Sequence, residues 1–479
     1  MGANTFFQYV FLYNIPLFQS HRDSTMTLII LNILFAITSI VLCCCAPTSY
    51  NYHFCLAILI LYIVQNVLFF YFNKRRNWLG FEFFFAISFA FTNFIYPVFY
   101  FPTRPDYLFF SIPFNVNVIS RATAIAYFAY AFYMLGATKL LKMKREEPVS
   151  PTFKFGINQF LWLFVITVVA FACYIGLGGW GALQDVYSGT ANIRDTGIYS
   201  YFNNIFTIAC YLMAIFVFRI KKQKQWFYLL FICVCMFFII STGSRSLALG
   251  LALILIVGFN NNVRRFSILE IFSLIFIGAF LLFLVMRIRH SQINSETITA
   301  TIQNIRIENI MDIFGDLIVN NRNLYVLVDY ADTHELTFFH GMLIDIFSPI
   351  PRASSWLVKI FNEPIELLHG GDLPTYLYLG SGSVWGLGTN MVGEAFRSFG
   401  YVGTAISMML IGQIIKSSYY YSYNNCYAYA IYYLFVSHAV FYPRAPLLFD
   451  PRTLVWGMLL IFVVYSITPK KSIQDEKNK

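Results

Sequence analysis

Charged residues are scarce in this chain: they make up 12% of its 479 residues, where a soluble domain carries roughly 25%. With 58% hydrophobic residues and a mean hydropathy of +0.63, that shortage excludes a soluble globular protein and points to an integral membrane protein. A disulfide framework is missing too. All nine cysteines (Cys43, Cys44, Cys45, Cys55, Cys173, Cys210, Cys233, Cys235 and Cys426) lie in or beside apolar runs, without paired metal-ligand spacing. No internal repeat is visible, which argues against an inverted-repeat transporter. The N-terminus has no basic region and no small-residue cleavage site before the first long apolar run, so no removable signal peptide is expected. The net charge of +10 resides largely in juxtamembrane lysines, so it argues for topology and anionic lipid, not for nucleic acid.

What is abundant is the apolar run of membrane length. A bilayer needs about 20 apolar residues per helix. About twelve such runs lie near 27–46, 53–72, 80–101, 116–140, 158–178, 199–219, 226–242, 246–259, 266–286, 398–418, 426–442 and 453–468. The expected fold is therefore all-α, a polytopic bundle. Its seventh and eighth runs are short and form a tight hairpin about Ser241–Ser246. Residues 1–286 would hold nine spans, 287–397 a large loop domain, 398–470 three spans and 471–479 a tail.

Lysine sets the sides. Thirteen of the fourteen lysines fall in alternate loops or tails, which the positive-inside rule assigns to the cytoplasm together with both termini. Lys359 is the exception. Arginine instead collects on the outer side: Arg104, Arg121, Arg194, Arg245, Arg287, Arg289, Arg306, Arg322, Arg352, Arg397, Arg444 and Arg452. The planar guanidinium matches phosphate oxygens bidentately, so this excess suggests a phosphate-bearing substrate on the outer face.

The outer region is patterned and does not read as a linker. Ile310, Ile313, Phe314, Leu317, Ile318, Leu324 and Tyr325 recur at helical spacing, with Asp312, Asp316, Asn320 and Asn323 on other faces. This predicts an amphipathic helix on the membrane or on the bundle. A second amphipathic stretch follows Pro349-Ile350-Pro351-Arg352, around Trp356 to Ile360. A Gly-rich segment from Gly370 to Gly388 then reads as loop with close backbone approach.

Three constellations carry potential chemistry. The turn Ser241-Thr242-Gly243-Ser244-Arg245-Ser246 opens a helix, so free N–H groups, a dipole end and an arginine coincide there. The bland reading is an arginine snorkelling to headgroups. In the last outer loop, Arg444 has no acidic neighbour in sequence, whereas Arg452 reads as the local ion-pair partner of Asp450. Third, Glu394 sits where the Gly-rich loop enters a span and could take a proton from a sugar hydroxyl. Its bland reading is an ion pair with Arg397, three residues on. Asp372, His369 and His340 are alternative bases. Arg322 reads as solvent-facing or paired with a nearby acid, Arg104 as part of a plain connecting loop, and Glu82 and Glu270 as topology-related pairs.

Taken in order, these stretches resemble the O-antigen polymerase (Wzy) family of repeat-unit polymerases. The matching residues are Gly243-Ser244-Arg245, Ser348-Pro349-Ile350-Pro351-Arg352 after Phe339-His340-Gly341, and Gly393-Glu394 through Phe399-Gly400 to Gly403. The Lys-Pro pair that members often carry after the Pro-Arg is absent here, so Lys359 is not carried over.

The resemblance implies a glycosyltransferase C-like enzyme of the bacterial inner membrane with a helical periplasmic loop domain. It would transfer a growing chain from undecaprenyl pyrophosphate to the non-reducing end of a new lipid-linked repeat. Glu394, Asp372 or His340 would be the base; Arg245, Arg352, Arg444 and Arg289 would hold the pyrophosphate. No metal or cofactor is expected, because cations suffice to hold the leaving group. The partners would be the lipid-linked oligosaccharide, membrane lipid and a chain-length regulator, with no nucleic acid. An O-antigen ligase and a lipid-linked oligosaccharide flippase are the rival readings. A flippase should show short loops and internal symmetry in place of a long outer domain.

Overall fold

In lipid, every backbone N–H and C=O must find its partner within the segment, so apolar runs become helices. The structure is a computed structural model. It describes residues 21–73, 78–107, 114–138, 152–179, 197–241, 245–278, 314–448 and 450–468, apart from isolated positions within those stretches. Arg287, Arg289, Arg194, Arg306, Gly243, Ser244, Ile310 and Ile313, the basic loop Lys139–Arg145 and the tail from 471 lie outside the described residues. Arg245 is described by its backbone alone.

The first part of the chain contributes α1 (His21–Cys44), α2 (Tyr52–Asn73), α3 (Phe81–Asn93), α4 (Ile119–Thr138), α5 (Ile157–Gly176), α6 (Tyr199–Phe216), α7 (Lys222–Ser241) and α8 (Arg245–Asn262). Short helices follow: α9 (Gly315–Ile318), α10 (Asn320–Thr333), α11 (Leu343–Phe347), α12 (Ala353–Phe361), α13 (Ile365–Leu368) and α14 (Leu373–Leu379). The chain closes with α15 (Met391–Tyr421), α16 (Cys426–His438) and α17 (Pro451–Ile467). No strand occurs among the described residues, so the chain is all-helical there.

Six helical stretches are long and apolar enough to cross a membrane: Met26–Cys44, Tyr52–Asn73, Val116–Thr138, Ile157–Gly176, Tyr199–Arg219 and Met391–Tyr421. Phe81–Asn93, Lys224–Ile240, Ser246–Asn262 and Pro451–Ile467 are apolar but shorter. The count of twelve thus stands as six clear spans with further short apolar helices.

The outward faces of α1, α2 and α5 carry exposed Ile30, Leu34, Ile63, Val67, Val165 and Val169, as lipid contact requires. By contrast α4 is buried almost all round and forms the centre of the bundle. Its widest contact is with α15, and small residues make it possible. A Cβ on Gly136 would strike the Met409 carbonyl, and one on Gly412 the Tyr133 carbonyl. A polar ladder also crosses the bundle: Gln65 donates to Asn32 at 2.9 Å, and Asn32 to Thr138 at 3.2 Å.

One expectation is corrected. The polar face of α10 does not look outward: Asn320, Asn321, Arg322 and Asn323 are all buried. This helix packs on α3, α4, α14 and α15, and its amides satisfy backbone that lacks a ladder of its own. Asn320 Nδ2 donates to the Thr389 carbonyl (2.7 Å), Asn323 Nδ2 to Leu387 (2.9 Å) and Asn321 Nδ2 to Phe91 (2.9 Å). Arg322 is therefore an interior residue, not a solvent-facing one.

Candidate functional site

The site is built where α15 begins. Asn390 caps this helix, its side chain accepting from the N–H groups of Val392 and Gly393 at 3.0 and 3.2 Å. Asn390 also donates to Asn93 and Asn320, which ties the cap to α3 and α10. The helix starts earlier than the run at 398 predicts, and Gly400 (φ 62°) marks a kink within it. Glu394 and Arg397 consequently lie on the first helical turns, buried at 1% and 2% exposure.

Glu394 and Arg397 do not form an ion pair; each faces a different segment. Glu394 Oε2 accepts the Leu447 N–H at 2.7 Å, and Oε1 has no hydrogen-bond partner among the described residues. The carboxylate abuts Gly370, where any Cβ would overlap it. The Arg397 guanidinium fills the corresponding space at Gly341. Its Nε and Nη2 are buried without a hydrogen-bond partner among the described residues. A buried guanidinium with uncommitted N–H groups is costly unless an acceptor reaches it.

Beside Glu394 stands a second charged group. His369 Nε2 lies 3.1 Å from Asp345 Oδ1, and its Nδ1 lies 3.0 Å from Asp372 Oδ2. Asp345 Oδ2 also accepts the Gly370 N–H at 3.1 Å. Burial alone would push the imidazole pKa down, but the nearby carboxylates of Asp345 and Asp372 outweigh it. His369 is thus held protonated well above its ordinary range.

The structure brings Glu394 and Asp372 into one cluster through His369. It does not bring His340 there: its Nε2 lies 2.8 Å from Glu363 Oε2, and its ring packs edge-on against Phe361. Arg444 sits three residues before Leu447, its guanidinium over the Phe441 ring and facing Gly388. Arg452 does not pair with Asp450. Its Nε donates to the Ser348 carbonyl at 2.9 Å, while Asp450 caps α17 by accepting from Thr453. Trp456 Nε1 donates to Pro349 (2.9 Å), so α17 anchors the Pro-Ile-Pro-Arg stretch from one side. Just before that stretch, the Asp345 carbonyl accepts the Ser348 N–H at 3.3 Å. Arg352 itself is exposed, has φ 62°, and opens α12, whose Trp356 and Ile360 are exposed apolar side chains. Glu270 pairs with Arg264 at 2.7 Å, as a topology-related pair should. Arg121 pairs with Asp332.

Sequence reasoning missed Asp345 and the buried state of Arg397. A lone aspartate in the apolar run Met342-Leu343-Ile344-Asp345-Ile346-Phe347 was the available clue to the first. No local pattern flagged the second, because Glu394 three residues away supplied an obvious partner.

The fold and the site define a multi-pass helical membrane protein with a buried carboxylate, a histidine–aspartate cluster and a buried arginine. The chain belongs to the family described as O-antigen polysaccharide polymerase Wzy, which matches it over residues 25–476. It is accordingly a glycosyltransferase-type enzyme of polysaccharide biosynthesis, acting in a membrane on lipid-linked oligosaccharide repeat units. Among curated proteins and among solved structures, none matches the chain at a significant level.

Proposed function

We propose that the chain polymerises repeat units on the periplasmic face of the bacterial inner membrane, with both of its termini cytoplasmic. The growing polysaccharide leaves undecaprenyl pyrophosphate and joins the non-reducing end of a new lipid-linked repeat. The acceptor hydroxyl oxygen attacks the anomeric carbon of the donor, and its proton passes to Glu394. The bond from that carbon to the phosphate oxygen breaks, and its electron pair departs with the pyrophosphate. Arg352 and Arg444 hold the developing charge, with Arg245 and Arg289 as further cations; Arg397 joins the set because of its buried, uncommitted N–H groups. A general base must come within hydrogen-bond reach of the proton that it takes. The observation that carries the reading is the one-sided hydrogen bonding of Glu394, which leaves Oε1 uncommitted beside Gly370. Asp372 acts through His369, and His340 is the peripheral base of this reading. A chain-length regulator is the expected protein partner.

The test is deletion of the gene followed by analysis of surface polysaccharide. A missing polymerase leaves lipid A-core with a single repeat. Bare core with accumulated lipid-linked polymer would instead identify a ligase. Repeats retained on the cytoplasmic leaflet would identify a flippase and end the polymerase reading.

A further inference from the structure

A cavity of about 400 Å³ opens between α10, α14 and the segment before α4. Its volume lies in the range of about 300–1,000 Å³ usual for small-ligand sites. From α10 it takes Asp329, Tyr330 and Thr333, which share one helical face with Val326. Tyr378 of α14 and Phe114 supply two more aromatic rings, and Asn115 an amide. The polar groups are pre-arranged. Asn115 Nδ2 donates to Asp329 Oδ1 at 3.0 Å, and Tyr330 is held by stacking on His334, with centroids 3.8 Å apart and planes at 9°.

The lining selects its ligand by chemistry. Among the described residues no cation lines the wall, and a carboxylate does, so phosphate and other anions are disfavoured. An acyl chain would strip water from the Asp329 carboxylate, which its one hydrogen bond from Asn115 does not replace. A saccharide suits both halves of the wall. Its apolar C–H faces pack on aromatic rings, while its hydroxyls both donate to a carboxylate and accept from an amide.

The position is equally informative. Helix α14 joins this cavity to the candidate reacting centre, since Asp372 stands immediately before its first residue and Tyr378 near its last turn. Six residues of helix separate the two by about 9 Å. The first turn of α10 holds the Gly-rich segment through Asn320 and Asn323.

We infer that this cavity is a saccharide subsite, which binds a sugar of the repeat unit remote from the bond being made. It rests on the polymerase reading above. Asp329, Tyr330 and Tyr378 are binding residues, not members of the reacting centre. The probe is the repeat-unit oligosaccharide cleaved from the lipid-linked precursor that a deletion strain accumulates. It is titrated calorimetrically into the full chain in detergent, where no transfer can occur.

Tyr378→Ala and Asp329→Ala should each weaken binding by at least about tenfold, the loss of about 1.4 kcal/mol. Tyr378→Phe, which keeps the ring face, should stay within about threefold. Equal binding by folded Tyr378→Ala and Asp329→Ala chains would overturn the subsite, and so would no binding by the parent. If either occurs while deletion still leaves single-repeat lipid A-core, the subsite fails and the polymerase reading stands. If the alanine variants lose their thermal transition, Tyr378→Phe and Asp329→Asn decide instead. Undiminished binding by Asp329→Asn together with a tenfold loss in Tyr378→Phe would contradict the ring-face geometry.

Discussion

His369 is held between two carboxylates, Asp345 and Asp372, and its charge is part of the local structure. Its folded pKa is raised, so the stability it contributes is fully present below its unfolded value of about 6.5. That contribution is lost as pH rises through the folded value. His369→Gln should therefore melt lower than the parent at pH about 6, and the gap should narrow steadily at higher pH. Thermal unfolding in detergent from pH about 5.5 to 9 measures it, and a constant gap would contradict the imidazolium assignment. At this scale the sequence pointed to residue types but not to pairings. His369 and Asp372 were visible as titratable groups in a Gly-rich segment. Asp345 lies more than twenty residues earlier, in an apolar run that gave no reason to look for a partner.

At the scale of the element, α15 couples the membrane bundle to the site. Its lower part crosses α4 through Gly136 and Gly412, and its upper part carries Glu394 and Arg397. Gly136→Ala sets a methyl group against the Met409 carbonyl, which cannot rotate aside as a side chain could. Overpacking of this kind typically costs about 1–3 kcal/mol. The variant should show a lower melting temperature and reduced polymer formation, whereas an unchanged melting temperature would mean that the helices do not meet so closely. The start of α15 was misplaced in sequence because Gly393 and two charges look like loop outside a span. The Asn390 cap, with Val392, Ala395 and Phe396 buried beyond it, makes those positions helical. Likewise Asn320 and Asn323 of α10 read only as lying on faces other than its apolar one. They are inward because unladdered backbone from Leu387 to Thr389 needs donors there.

At the scale of the whole molecule, four stretches far apart in the chain meet near Glu394: Asp345, His369–Asp372, Glu394–Arg397 and Leu447. The Pro-Ile-Pro-Arg stretch is tied to this assembly through α11 and to α17 through Ser348 and Pro349. If Arg352 and Glu394 serve one transfer, their losses should not add. Arg352→Ala and Glu394→Gln should each lower polymer formation at least about 100-fold, and the double variant should fall little further. Quantifying the surface-polysaccharide ladder against lipid-linked precursor in the three strains provides the measure. Multiplicative losses would assign the two residues to separate steps.

Membrane embedding, the all-helical class and the family could all be read from the chain itself. Hydropathy acts on each span separately and needs no knowledge of neighbours, and the family's short stretches keep their order whatever the folding. Partner choice among the buried charged residues of the site belonged to the tertiary structure. Glu394 bonds the Leu447 amide 53 residues away and not Arg397 three residues away, because helix packing, not sequence distance, decides which groups share a buried space.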